Sequence, residues 1–194
     1  GLGLRENTIV IWTSDHGDGL ACHGGHFDKD CYLPEELVRI PMAIRYPNLI
    51  PQGQRFEKLI SNVDLGPTIL DFAGTYFPMK VDGESLKSIC FNEDIPWRED
   101  IMVETHGHKH IHLGRALITE RYKFVYNERC LDELYDLRED PYELNNLIEN
   151  IDYKDILIDL KKRLTLWRKK TNDNMTKRKV RKYILQNHKE ENQD

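Results

Sequence analysis

The sequence predicts an α/β protein: part of a mostly parallel sheet with flanking helices, followed by a small antiparallel sheet packed by a C-terminal helix. Three observations carry that reading. The apolar run Thr8–Trp12 has the β-branched and aromatic content of a strand and no polar alternation, the habit of a strand buried on both faces of a helix-covered sheet. Strand-like and helix-like stretches then alternate as far as residue 100. Beyond it come two strand-like runs separated only by Glu120-Arg121, and then apolar residues at helical spacing, Ile156, Leu160, Leu164 and Trp167.

Taken in order, Gly1–Asn7 reads as a helix end and loop feeding the first strand, and the absence of an initiator methionine gives it the look of a chain cut into. Ser14-Asp15-His16-Gly17 leaves that strand at its carboxyl end, where open α/β sheets place their ligands. After a polar loop, Ile40–Tyr46 reads as a second strand, stopped by Pro47 and the turn residues around Pro51-Gln52-Gly53. Asp64 is positioned to cap a helix over residues 65–73, with Gly74 as its stop. Ile101–Glu104 is a further strand, and Ala116–Thr119 with Tyr122–Tyr126 forms a hairpin. The helical period predicts an amphipathic helix over 152–170 laid on that hairpin sheet. The domains expected are 1–100, part of an α/β catalytic domain; 101–170, a small antiparallel subdomain with its helix; and 171–194, a basic helical or frayed tail.

The chain has 194 residues, 39% of them apolar, enough for a real core. Its net charge of −5 conceals a division: residues 1–150 carry 15 basic against 26 acidic side chains (−11), and residues 151–194 carry 13 against 7 (+6). No stretch has the length and apolarity of a membrane span, so no membrane partner is expected. The basic run Thr176–Lys182 lacks interleaved aromatics and any nucleic-acid motif, so no nucleic acid is expected either. Cys22, Cys31, Cys90 and Cys130 are scattered without a Cys-x-x-Cys pair, which fits reduced thiols or any of three disulfide pairings and leaves the compartment open. Localisation and oligomeric state are not read from the sequence.

Asp15 and His16 would point to opposite faces inside a strand; beyond its end both can aim at one ion, although the same residues also make an ordinary Asx turn. Lys29 lies past a glycine-rich loop that can fold back to the strand end, where an ammonium suits an anionic substrate; beside Asp28 and Asp30 it also reads as a solvated lysine. His23 and His26 form a His-x-x-His. His106, His108, His110 and His112 alternate, which on an extended strand would offer four imidazoles to zinc, nickel or copper; Gly107 and the flanking charges favour instead a polar loop that lends one or two histidines to a pocket.

Taken together, Thr13–Asp18, His23-Gly24, Asp28-Lys29 and Glu35–Pro41 closely resemble the second half of the sulfatase family within the alkaline phosphatase superfamily. Further resembling motifs follow in the family's order: Asn62–Gly74, Asp82–Leu86, Arg121–Tyr126 and Glu133–Leu147. The resemblance runs over roughly residues 5–165 and excludes the basic tail.

The resemblance implies a sulfuric ester hydrolase that uses one divalent metal, calcium in most of the family, and a formylglycine made within a Cys/Ser-x-Pro-x-Arg motif. By position, Asp15 and His16 resemble two metal ligands, and Lys29 the catalytic lysine that holds the sulfate. His23, His26, His106 and His108 are the candidate substrate-binding residues, with a sulfated small molecule or glycan as partner. Histidine is a nitrogen ligand and leaves room for magnesium or manganese. No Cys/Ser-x-Pro-x-Arg run occurs in the chain, so the formylglycine is expected in a missing N-terminal half, without which this portion is expected to be inactive. The alternatives are a phosphodiester or phosphonate monoester hydrolase of the same superfamily, and a non-catalytic metal- or glycan-binding module.

Overall fold

The computed structural model describes residues 2–29, 31–108 and 111–174; His110 and the basic run Thr176–Lys182 lie outside the described residues. Two compact units divide the chain, one formed by the residues up to Asp15 with Ile40–Ile101, the other by His16–Arg39 with the residues from Met102 onward. The class is α/β, with the expected small sheet and its long C-terminal helix. His16–Arg39 groups with the residues from Met102 onward and not with its neighbours in sequence.

In the first unit, β1 (Val10–Thr13) pairs antiparallel with β2 (Met42–Arg45), Ile11 opposite Ile44 and Trp12 opposite Ala43. The sequence reading placed these strands in a mostly parallel sheet, and this pair is not parallel. A parallel neighbour needs a crossover element that carries the chain back along the sheet, and the 14–41 connection holds only single helical turns, Cys22–Gly25 and Glu35–Val38. Nor is β1 buried on both faces: exposure alternates along it, with Val10 at 48% and Trp12 at 63%. The unit's core is Ile50, Leu86, Ile89 and Cys90, backed by Ile44, Tyr46, Ile60, Phe72 and Trp97.

Helix α1 (Leu65–Phe72) begins after Asp64 as expected, but the Asp64 side chain does not cap it. Asp64 instead accepts from the Ser61 N–H and closes the capping box of the preceding 3-10 turn Asn62–Asp64, while Gly74, at φ +73°, takes the left-handed conformation that ends the helix. Asp64 has further partners. Its side chain is fully buried and also accepts from the Glu84 N–H at 2.8 Å and from both Arg98 Nη atoms at 2.8 and 3.0 Å.

The second unit holds a four-stranded sheet in the order β3 (Asp100–Thr105), β4 (Gly114–Thr119), β5 (Tyr122–Asn127), β6 (Glu133–Asp136). The hairpin β4–β5 turns at Glu120-Arg121 as its sequence predicts, and β5–β6 is also antiparallel. Leu117, Phe124 and Leu134 from the sheet meet Leu160 and Leu164 of α2 (Lys154–Lys170), so the helical period does bury one stripe on the sheet. β6 was not predicted; four residues with acidic ends give too short an alternation to stand out. Lys123, the second residue of β5, is completely buried, and its ammonium lies 3.2 Å from Glu35 and 2.7 Å from Glu143. Those contacts join the loop preceding β2 to the sheet's own unit.

Removing the Arg98 guanidinium leaves the Asp64 carboxylate buried with backbone donors but no cation, a change that costs roughly 3–5 kcal/mol for buried pairs. Urea denaturation of Arg98→Ala should show a loss of this order, with Arg98→Lys intermediate because a point charge cannot reproduce the two-pronged contact. A loss below about 1 kcal/mol, the scale of an exposed pair, would remove Asp64 from the centre of this unit.

Candidate active site

β1 delivers Ser14 and Asp15 at its carboxyl end, and their backbone is pinned there. Asn62 Nδ2 donates to the carbonyls of both Ser14 and Asp15 at 3.1 Å, while the Thr13 hydroxyl donates to the Pro41 carbonyl at 2.9 Å. Ser14 Oγ lies 3.4 Å from Asp15 Oδ1. Asn62 belongs to a resembling motif but carried no role in the sequence reading. Its amide fixes the direction in which the Asp15 main chain leaves the strand.

His16 Nδ1 lies 2.6 Å from the Gly17 carbonyl, which only accepts, so Nδ1 carries a hydrogen, and in the neutral ring Nε2 is the nitrogen with the lone pair. That is the tautomer of an imidazole that ligates a metal through Nε2 while its other nitrogen is held by a carbonyl. Gly17 is required by contact rather than by φ: a Cβ there would sit 1.8 Å from the Glu36 carbonyl oxygen, and its N–H donates to Leu37 O at 2.9 Å. The residues at the strand end therefore fit a divalent cation in donor chemistry, a carboxylate beside an oriented imidazole.

The following loop is laced by Ala21 N–H to His26 O at 2.8 Å and His26 N–H to Cys22 O at 2.9 Å. His23, at φ +48°, holds its Nε2 3.1 Å from Glu36 Oε2. Burial alone would raise the Glu36 carboxyl; its backbone hydrogen bond and His23 outweigh that and hold it below the ordinary range. His26 packs edge-on against Tyr32, with ring centres 5.1 Å apart, and Tyr32 in turn lies 5.6 Å from the His112 ring. His23 and His26 thus have different surroundings, an anion and an aromatic face. Lys29 is exposed and follows Asp28, whose carboxylate lies 3.6 Å from His108 Nε2.

The described histidines of the alternating set, His106, His108 and His112, do not converge on one another's partners. His106 Nε2 faces Arg115 at 3.3 Å, His108 meets Asp28, and the buried His112 donates Nε2–H to Asn127 Oδ1 at 2.8 Å, since Asn127 Nδ2 is itself donating to Leu131 O and Glu133. Among the described residues, the grouping able to surround an ion is instead His23, Glu36 and Glu143, with ligand atoms within 4.8 Å of one another. The positive charge this cluster needs is already supplied by Lys123 Nζ, 2.7 Å from Glu143 Oε1 and close but out of line for a hydrogen bond. Burial pushes the Glu143 carboxyl up against the pull of Lys123. A cleft of about 710 Å³ lies against β2 and is lined by Met42, Tyr46, Arg55 and Phe56 among others; none of the predicted site residues lines it.

Arg115, Lys123 and Glu143 were not predicted. Arg115 and Lys123 are single charges inside apolar strand sequences, Gly114-Arg115-Ala116-Leu117-Ile118 and Tyr122-Lys123-Phe124-Val125, which is the signal that a buried partner awaits them.

Residues 22–170 match the family described as N-sulphoglucosamine sulphohydrolase, C-terminal. The chain is 35% identical to an N-acetylglucosamine-6-O-sulfatase of Bacteroides thetaiotaomicron over 78% of its own length and 28% of the relative's. A solved structure described in complex with its substrate D-glucosamine-2-N,6-O-disulfate superposes with a TM-score of 0.82 and 32% identity, over 89% of this chain and 36% of that one. A phosphonate monoester hydrolase of Agrobacterium radiobacter shares the fold, with a TM-score of 0.79 at 24% identity over 87% of this chain and 36% of that one. The chain thus spans about a third of the length of the proteins it matches.

Beyond α2, Asp173 closes onto Arg115 and Arg168 with contacts of 2.8 to 2.9 Å. The hydrogen bonds from Arg115 hold its carboxyl far below the ordinary value of 3.8, against the opposing effect of burial. A depressed folded value means that the pair's stabilisation is present above the unfolded value and fades as pH falls below about 4. The melting temperature of the parent protein should therefore exceed that of Asp173→Asn clearly at pH 6 and by less at about pH 3. An equal gap at both would show that the carboxylate charge is not what holds this end of the helix.

Proposed function

We infer, for a chain that belongs to the sulfatase family and matches its C-terminal portion, that it serves a metal-dependent enzyme hydrolysing sulfate esters, with sulfated amino sugars as the substrate class. The observation that carries this reading is the strand end itself: a pinned Asp15 main chain followed by an imidazole oriented through Nδ1–H by the Gly17 carbonyl. Asp15 and His16 would hold one divalent cation, calcium by the family resemblance and magnesium or manganese by the mixed donor set. Such a cation, when bound, offsets negative charge on the sulfate oxygens.

Lys29 binds the sulfate and stabilises the charge that develops as the ester bond breaks. His23 and His26 border that anion. His106 and His108 read the sugar, and the His108–Asp28 contact brings their loop beside the residue that precedes Lys29. The nucleophile is placed elsewhere in the complete enzyme, as a formylglycine, because no Cys/Ser-x-Pro-x-Arg run occurs in these 194 residues. The isolated chain is accordingly proposed to be inactive.

In the complete enzyme, Asp15→Ala should lower kcat/KM for an aryl sulfate by roughly 100-fold or more and reduce bound metal in proportion. Lys29→Ala should lower turnover with metal content unchanged. Full activity and metal content in Asp15→Ala would refute the assignment. Paired rates on sulfate and phosphonate monoesters decide between sulfatase and phosphonate hydrolase, the second reading that the shared fold keeps open. Turnover by the 194-residue chain alone would refute the placement of the nucleophile; calcium, zinc or glycan binding by it without turnover is what a binding module would give as well, so activity of the complete enzyme separates the two.

A further inference from the structure

Arg115 is 2% exposed and every nitrogen of its guanidinium is directed: Nε to Asp173 Oδ2 at 2.8 Å, Nη1 to Gly114 O at 2.8 Å and Thr105 O at 3.2 Å, and Nη2 to Asp173 Oδ1 at 2.9 Å and His106 Nε2 at 3.3 Å. A guanidinium has five N–H donors, no acceptor, and keeps its charge in proteins. The contact with His106 therefore requires a lone pair on Nε2. A hydrogen there would set N–H against N–H. Glu104 Oε2 also lies 3.3 Å from Arg115 Nη2, as an ion pair without hydrogen-bond alignment, and at 3.8 Å from His106 Nε2 it is beyond hydrogen-bond reach of the ring, so it does not reverse the assignment. The loop backbone around the ring is tied as well, by Gly107 N–H to Thr105 Oγ1 at 3.1 Å and His112 N–H to His106 O at 3.2 Å.

We propose that Arg115 is a positioning residue that holds His106 as the neutral imidazole with its hydrogen on Nδ1, so that this loop recognises an acceptor oxygen of the sulfated sugar. The inference rests on the reading of His106 as a substrate contact. It adds a direction to that contact: His106 donates and does not accept.

Two measurements on the complete enzyme test it. In a ¹⁵N-histidine correlation spectrum, with the His106 signals identified by their absence in His106→Gln, the unprotonated nitrogen should be Nε2, and Arg115→Lys should shift it toward tautomer exchange. A hydrogen on Nε2, or a signal indifferent to Arg115→Lys, overturns the proposal. In kinetics on D-glucosamine-2-N,6-O-disulfate, His106→Gln and His106→Ala should lower kcat/KM about tenfold or more, and His106→Asn, whose amide nitrogen overlies Nδ1, should lose clearly less than His106→Gln. Equal losses in Asn and Gln overturn the donor role alone. No loss in His106→Ala removes the substrate contact and, with it, this inference, even where the spectrum shows Nε2 unprotonated. If Arg115→Lys does not fold, the parent spectrum and the Asn and Gln pair still decide.

Discussion

The second unit depends on one buried charge. Lys123, the second residue of β5, has no exposure, and an ammonium there is tolerable only because Glu35 and Glu143 meet it. Glu143 also accepts from the Glu35 N–H at 2.7 Å, so the two acids are tied to each other as well as to the lysine. Three stretches distant in sequence are fixed by this contact: the loop before β2, the hairpin, and the segment after β6. Glu36, the next residue, then faces His23, and its carbonyl presses on Gly17. A charge in the sheet thus reaches the turn after His16 through two neighbouring residues and one glycine.

Each stretch that meets at Lys123 lies in a separate resembling motif of the sequence, Glu35–Pro41, Arg121–Tyr126 and Glu133–Leu147. Their convergence was not legible. Alternation and propensity describe faces of an element, whereas an ion pair across 88 or 20 residues depends on tertiary approach, and the sequence signal for it is only a charge in an apolar run. Elements whose local chemistry and burial agree were readable: the hairpin turn, α2 by its apolar period, α1 by its terminal glycine, though the Asp64 side chain does not cap it. β1 was readable as a strand but not in its burial, because a continuous apolar run implies two covered faces while Val10 and Trp12 are exposed in this chain. Of the candidate site, positions were legible and orientations were not. Nothing in Ser14-Asp15-His16-Gly17 reveals that Asn62 would hold the main chain or that Gly17 O would fix the ring.

Orientation is also what separates the two meanings of a histidine-rich sequence. Imidazoles that gather a soft metal have nitrogens converging on one point. Here each described ring with a resolved partner is held by a group of fixed role. Gly17 O can only accept, so His16 carries its hydrogen on Nδ1; Asn127 Oδ1 can only accept, so His112 carries it on Nε2; Arg115 can only donate, so His106 carries it on Nδ1. The partners belong to a turn, a strand and a strand's buried charge, and they lead the three rings to different tasks. Under the proposed function, a neutral ring fixed by a carbonyl keeps a lone pair for a hard cation beside a carboxylate. A ring fixed inside a strand supports the loop above it. A ring fixed by a guanidinium has only a donor left to offer, which suits recognition of oxygen-rich sugars and is unsuited to binding a metal. For His106, His108 and His112, the chemistry of the alternating set therefore follows from the partner of each ring rather than from their spacing.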